Sequence, residues 1–126
     1  MLDLNTCPCS GGTLDRLVQP AILVILMDGP LHGYRVAERI GELPGFGSQK
    51  PDKSGVYRFL KAMEGKGLLA SSWDVSDGGP AKRTYQITPS GEACLGKWIT
   101  TLDDYRKSIT DLLRLARRST QGQASS

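Results

Sequence analysis

The last third of the sequence contains a heptad repeat of apolar residues, which constrains the fold more than any other feature. Its members are separated alternately by three and four residues over about three heptads: Leu95, Trp98, Leu102, Tyr105, Ile109, Leu112 and Ala116. This spacing predicts a long helix with one apolar seam. Thr88 and Pro89 suit the N-cap and the first helical position, so we expect the helix to begin there and to reach about residue 118.

A seam of this length requires a partner. A helix of about 27 residues spans roughly 40 Å, which is too long for one small helical core to cover. Trp98 and Tyr105 belong to the seam, and burial of a large aromatic side chain contributes on the order of 2–3 kcal/mol. We therefore expect the seam from Leu95 to Leu112 to pack against the first helix and against a second copy of the chain. The alternative is that the seam covers only its own domain.

Ahead of this helix, the sequence predicts three short helices and a β-hairpin. A buried helix begins at Pro20, continues over Ala21 to Met27 and ends near Asp28. Apolar residues at helical spacing mark two further helices over 33–40 and 53–66. Two alternating segments, 69–75 and 83–87, enclose the turn sequence Ser-Asp-Gly-Gly-Pro at 76–80 and predict the hairpin. The predicted fold class is mainly α with a small β-hairpin: a winged helix-turn-helix plus a long C-terminal dimerisation helix. Its parts are a flexible arm (1–12), the winged helix-turn-helix (13–88), the dimerisation helix (89–118) and a disordered tail (119–126).

Composition narrows the function classes. A chain of 126 residues with 39% hydrophobic and 23% charged residues is typical of one soluble globular domain. No apolar run approaches the roughly 20 residues of a membrane span, and the first residues lack the features of a secretory signal. We therefore expect a cytoplasmic protein that does not contact a membrane. The net charge of +3 is too small to identify a nucleic-acid-binding protein by itself.

The distribution of the basic residues is more informative than their sum. In a winged helix-turn-helix, the third helix enters the major groove and the hairpin contacts the DNA beside it. Such a helix needs basic side chains for phosphates and hydrogen-bonding side chains for base edges. The predicted third helix offers Lys53, Ser54, Tyr57, Arg58 and Lys61, and the hairpin offers Lys82 and Arg83. We expect Ser54, Tyr57, Arg58, Lys61, Lys82 and Arg83 to face double-stranded DNA; for Lys50, Lys66 and Lys97 we favour a merely solvated role.

Four motifs in this order resemble the PadR family of bacterial transcription regulators. They are His32-Gly33-Tyr34, Gly55-Val56-Tyr57-Arg58-x-Leu60, Met63-Glu64-x-x-Gly67-Leu68 and Asp77-Gly78-Gly79-Pro80-x-Lys82-Arg83-x-Tyr85-x-Ile87-Thr88-x-x-Gly91. The resemblance covers about residues 18–115. It implies a homodimer that represses transcription at a palindromic operator, with the last helix as its main dimer element. It also implies DNA contacts from Tyr34, Tyr57, Arg58, Lys82 and Arg83.

Two finer points follow from the same comparison. The stretch Ser10 to Arg16 and the long last helix resemble the subgroup of polyhydroxybutyrate-responsive repressors. Gly55 stands where the family often has Thr or Ser, and Ser54 lies one position earlier. As a repressor, the protein is expected to be released from DNA by a small-molecule effector, and no cofactor is expected.

Two other functions remain open at this point. One is a winged helix that binds a protein partner instead of DNA. The other is a repressor that senses metal or redox state, because Cys7 and Cys9 could place two thiolates on one soft metal and Cys94 could add a third. Free thiols in an arm, with Cys94 as a small core residue, are the simpler interpretation.

Enzyme function is not expected from the sequence. His32 is the only histidine, it has no nucleophile and acid at a recognisable spacing, and no phosphate-binding loop is present. We expect His32 to mark the entry of the second helix and to hydrogen-bond the backbone.

Overall fold

The computed structural model describes residues 17–43, 53–75 and 80–124. The helices are α1 (Val18–Leu26), α2 (Gly33–Glu42), α3 (Lys53–Gly65) and α4 (Pro89–Ala124), and the strands are β1 (Leu31–His32), β2 (Leu69–Asp74) and β3 (Lys82–Ile87). The predicted arm with Cys7 and Cys9, the turn residues 76–79 and Lys50 lie outside the described residues. The elements confirm the predicted class, which is mainly helical with a small sheet and a long final helix.

Helix α1 forms the centre of the core. Seven of its nine residues are buried. It begins at Val18, two residues before the predicted start, so Pro20 lies within its first turn. A proline is tolerated there because the first four amides of a helix have no partner inside it. Beyond the helix, Gly29 has a φ of 138°, a conformation that favours glycine.

Helices α2 and α3 each pack an apolar face onto α1 and leave a polar face exposed. Their buried side chains recur at helical spacing: Val36, Ala37 and Ile40 in α2, and Val56, Leu60 and Met63 in α3. Phe59, a further apolar residue of α3, is 37% exposed. Helix α2 includes Gly41 and ends at Glu42, two residues beyond the predicted end.

Gly67 ends α3. Its φ of 80° lies in the left-handed region, which glycine adopts without a steric penalty. The Gly67 amide donates to the Glu64 carbonyl and the Leu68 amide donates to the Met63 carbonyl, both at 3.0 Å. These two bonds form a Schellman motif, which turns the chain sharply into the sheet.

Thr88 joins the start of α4 to the end of α3. Its hydroxyl accepts a hydrogen bond from the Gly91 amide at 3.0 Å and donates to the Gly67 carbonyl at 2.7 Å. Its own amide donates to the Leu68 carbonyl at 3.1 Å. The prediction that Thr88 caps this helix and that Pro89 begins it is therefore confirmed.

The strands form an antiparallel sheet in the order β1-β3-β2. Strands β2 and β3 pair from Leu69 opposite Ile87 to Asp74 opposite Lys82, which confirms the hairpin. We call β2 and β3 together the wing. Strand β1 pairs His32 with Thr84 on the other edge of β3. It was not predicted, because two residues are too short to show an alternating pattern.

Helix α4 has 36 residues and is therefore about 54 Å long. It continues beyond the predicted end at residue 118 to Ala124. The chain divides into two compact units, one up to Leu95 and one from Gly96, so the first turns of α4 belong to the unit with the sheet. Among the described helices, none has both the length and the apolar character needed to cross a membrane.

Candidate nucleic-acid interface

The outer face of α3 presents the side chains expected of a DNA-reading helix. The residues beneath it, Val56, Leu60 and Met63, are at most 1% exposed and fix the rotation of the helix. The four α3 residues predicted to face DNA are all exposed: Ser54, Tyr57, Arg58 and Lys61. The helix thus offers one hydroxyl, one phenol and two cations to the same side.

A cleft of about 250 Å³ lies where the start of α2, the outer face of α3 and β3 meet. It is lined by three tyrosines, Tyr34, Tyr57 and Tyr85, and by Lys82 and Arg83 of β3. Four of the seven predicted interface residues, contributed by three elements, therefore lie around one cleft. The other three, Ser54, Arg58 and Lys61, lie on α3 outside it.

One side of the cleft is a stack of His32, Tyr34 and Lys82. The Tyr34 ring stacks on the imidazole with 5.7 Å between ring centres, and Lys82 Nζ lies 5.4 Å from the centre of the Tyr34 ring. His32 Nε2 is 3.1 Å from Asp74 Oδ2. The expectation that this side chain bonds the backbone was wrong, because pairing of β1 with β3 brings His32 within reach of the wing carboxylate.

The basic residues of the interface fall into two groups. Across 17–43, 53–75 and 80–124, no salt bridge joins Arg58, Lys61 or Lys82 to another side chain. Arg83, in contrast, pairs with Glu64 of α3 at 3.0 Å. The first three cations are therefore available to an external anion such as a phosphate.

Sequence reasoning missed Glu64 and Ser71 as members of this region. The Ser71 hydroxyl donates to Glu64, and this bond, together with the charge and hydrogen bonds of Arg83, lowers the pKa of the Glu64 carboxyl. The carboxylate is consequently ionised at neutral pH. No sequence signal identifies the trio, because each residue alone fits an ordinary position on a helix or strand.

Of the three cysteines, Cys94 lies within the described residues. Cys94 is half-buried on α4, whereas Cys7 and Cys9 lie outside the described residues. In the part of the chain that is described, no three His, Cys, Asp or Glu side chains come together as a metal site. The metal or redox role stays a prediction.

Comparison with known proteins gives consistent matches. The sequence profile of the "Transcriptional regulator PadR-like family" matches residues 22–97. A curated Mycobacterium tuberculosis protein, named as a transcriptional regulator, is 33% identical over 79 residues, which is 63% of this chain and 41% of that protein. The chain thus spans less than half the length of that relative.

Two solved structures extend the likeness to the fold. A Thermoplasma acidophilum protein, described as a transcriptional regulator, matches with a TM-score of 0.70 and 33% identity, over 80% of this chain and 94% of that chain. PadR of Bacillus subtilis, solved in complex with operator DNA, matches with a TM-score of 0.58 and 27% identity, over 67% of this chain and 47% of that chain.

Proposed function

The chain belongs to the transcriptional regulator PadR-like family, and from this premise we propose that it is a homodimeric repressor that binds a palindromic operator. Its core helices, three-stranded sheet and long final helix match the fold of the PadR winged-helix regulators. The observation that carries the proposal is the outer face of α3, which exposes cations and hydrogen-bonding groups and whose Tyr57 shares a cleft with Lys82 of the wing. This combination matches what a DNA duplex presents to a helix in its major groove.

In this proposal, α3 is the recognition helix. Its Ser54 and Tyr57 reach base edges, and Arg58 and Lys61 bind guanine edges or phosphates. Tyr34 and Lys82, at the edge of the cleft, bind the adjoining backbone. Arg83 is the seventh predicted interface residue, and its ion pair with Glu64 points to a different role within the interface.

The glycine at the start of α2 provides a test of the role of Tyr57. A Cβ atom at Gly33 would lie 2.8 Å from Tyr57 Cε1, closer than real Cβ contacts allow, and 3.4 Å from Tyr85 Cε2. Gly33→Ala should therefore displace the Tyr57 ring, with a loss of about 1 kcal/mol in the free energy of unfolding. We expect an approximately tenfold weaker operator affinity, measured by fluorescence anisotropy.

The control for this substitution is Gly65→Ala. A Cβ atom at Gly65, the last residue of α3, has no neighbour within 4 Å, so the affinity should not change. Equal affinities of the Gly33→Ala variant and the wild type would remove Tyr57 from the contact set.

We propose that α4 forms the dimer contact through its seam. In the single chain, Tyr105, Ile109 and Leu112 are 50%, 64% and 67% exposed, and the seam residues Leu95, Trp98 and Leu102 are half-buried. An apolar stripe of this kind favours a partner. A second copy offers the same heptad spacing, which suits the packing of helix against helix.

Leu112→Glu tests the dimer. The side chain is mostly exposed in the single chain, so the fold should be retained, whereas a carboxylate in an apolar interface is costly to bury. We expect the dissociation constant of the dimer to rise at least about 100-fold, measured by sedimentation equilibrium. Thr110→Glu adds the same charge off the seam and should leave the dimer intact. A dimer that survives Leu112→Glu would exclude this part of the seam from the interface.

We further propose that a small effector releases the repressor from DNA. The resemblance to the polyhydroxybutyrate-responsive subgroup rests partly on Ser10 to Arg16, which lies outside the described residues, and it does not identify that effector. The alternative, a metal or redox signal at Cys7, Cys9 and Cys94, predicts stoichiometric zinc that is lost in the Cys7→Ser/Cys9→Ser variant.

Selection from a library of random duplexes tests the proposed function and makes no assumption about the operator sequence. We expect enrichment of a palindromic sequence. Its affinity should exceed that of a scrambled duplex and should fall steeply with salt, with a slope of about −0.9 per phosphate contact in a plot of log K against log salt. A library that shows no enriched sequence would contradict the proposal and favour a protein partner.

A further inference from the structure

Arg83 extends from β3 to the C-terminal part of α3, where two other side chains hold its guanidinium. Its Nη2 donates to Glu64 Oε1 at 3.0 Å and to Oε2 at 3.2 Å, and its Nε donates to Ser71 Oγ at 3.0 Å. The Ser71 hydroxyl in turn donates to Glu64 Oε2. We call the closed set of Glu64, Ser71 and Arg83 the wing clasp, because it joins β2 and β3 to α3.

Two aromatic rings flank the guanidinium of the wing clasp. Its central carbon lies 5.6 Å from the centre of the Trp73 ring and 5.9 Å from that of Tyr85. Trp73 is the residue opposite Arg83 in the strand ladder, so the backbone register places it beside Arg83. Aromatic faces attract a cation and here favour the same position of the guanidinium as the hydrogen bonds do.

Lys82, the neighbour of Arg83 in β3, has a different environment. Successive residues of a strand point to opposite faces. Lys82 lies by Tyr34 and forms no salt bridge within the described ranges, whereas Arg83 is engaged by an ionised carboxylate. If Arg83 bound a phosphate in this position, it would bring the negative charge of Glu64 close to the DNA as well.

We infer that Arg83 is a positioning residue that holds the wing against the recognition helix, so that Lys82 and the outer face of α3 meet the same duplex. The inference rests on the proposed function and deepens it, because it divides the wing cations into one that binds DNA and one that orients the wing. The adjacent pair Lys82 and Arg83 therefore contributes one phosphate contact per protomer.

Glu64→Gln distinguishes the two possible roles of Arg83, positioning and phosphate binding, because they predict opposite changes in operator affinity. If Arg83 bound phosphate and Glu64 merely competed for it, removal of the carboxylate charge would raise the operator affinity. With Arg83 as a positioning residue, the same substitution should lower the affinity roughly three- to tenfold. Arg83→Gln should lower it to a similar extent, and the double variant should be no weaker than either single variant, because all three lack the same clasp.

The comparison with Lys82 separates the two wing cations. Lys82→Gln should weaken binding and reduce the salt slope by about 1 for each phosphate that the side chain no longer binds. Arg83→Lys keeps the charge but cannot form the same fork of hydrogen bonds, so it should bind as weakly as Arg83→Gln. Wild-type affinity in Arg83→Lys, or a gain of affinity in Glu64→Gln, would overturn the inference.

A measurement without DNA keeps this test independent of the proposed function. Amide hydrogen exchange of β2 and β3 should be faster in Glu64→Gln and Arg83→Gln and unchanged in Lys82→Gln. If the wild type selects no DNA sequence, the proposed function fails, and exchange still reports whether the clasp orders the wing. Exchange at the wild-type rate in both clasp variants would show that the clasp does not hold the wing.

Discussion

Replacement of both Arg58 and Lys61 by alanine is expected to reduce operator affinity at least about 100-fold. Removal of one side chain that binds a base or a phosphate costs about 1–3 kcal/mol, and a dimer loses four side chains in this variant. Both residues are exposed on α3 and form no salt bridge within the described ranges, and alanine favours a helix. The fold should therefore persist while the binding surface loses its charge.

The measurement is an anisotropy titration at several salt concentrations, with unfolding curves as a check on the fold. The affinity should fall and the salt slope should become shallower, because fewer counterions are released on binding. The control variant Lys66→Ala/Lys97→Ala removes the same charge from exposed positions that we expect to contact only solvent. It should bind the operator almost as tightly as the wild type does. Equal losses in the two double variants would mean that net charge, and not the face of α3, governs binding.

Gly91→Ala is expected to cause the largest loss of stability of any single substitution proposed for this protein. A Cβ atom at Gly91 would overlap the Leu68 carbonyl oxygen and lie 2.7 Å from Ile87 Cγ1. The same carbonyl accepts the Thr88 amide, and the Gly91 amide donates to the Thr88 hydroxyl. Relief of the overlap must therefore disturb the joint between α3, β3 and α4. We expect a loss of about 3 kcal/mol or more, and a melting temperature about 10 °C lower.

Gly96→Ala on the same helix is the matched control. A Cβ atom at Gly96 has no neighbour within 4 Å, and alanine is the better helix former by about 0.5–1 kcal/mol. The control should therefore raise the melting temperature slightly. Similar melting temperatures for both variants would mean that the contact between Gly91 and Leu68 is not close in solution.

Features set by neighbouring residues were predictable from the sequence. The apolar spacing around Val56, Leu60 and Met63 identified α3 and hence its exposed face. The Thr88-Pro89 pair placed the start of α4 correctly, because N-capping depends on residues within one turn. The alternation around Tyr85 predicted β3.

Features set by distant residues were not predictable in this way. His32 meets Asp74 across 42 positions, and Arg83 meets Glu64 across 19. Their pairing depends on the two-residue strand β1 and on the angle between the wing and α3, which the packing of the whole core determines. The sequence therefore predicted one interface for the basic residues, but it predicted the same role, DNA contact, for Lys82 and Arg83.

Methylation interference on the selected operator tests most directly whether α3 reads the major groove. Guanine N7 lies on the major-groove edge, and its methylation blocks a side chain that binds there. We expect interference in two clusters about 10 bp apart, one for each α3 of a dimer. Binding that tolerates methylation at every guanine N7 of the selected sequence would contradict the assignment of α3 as the recognition helix.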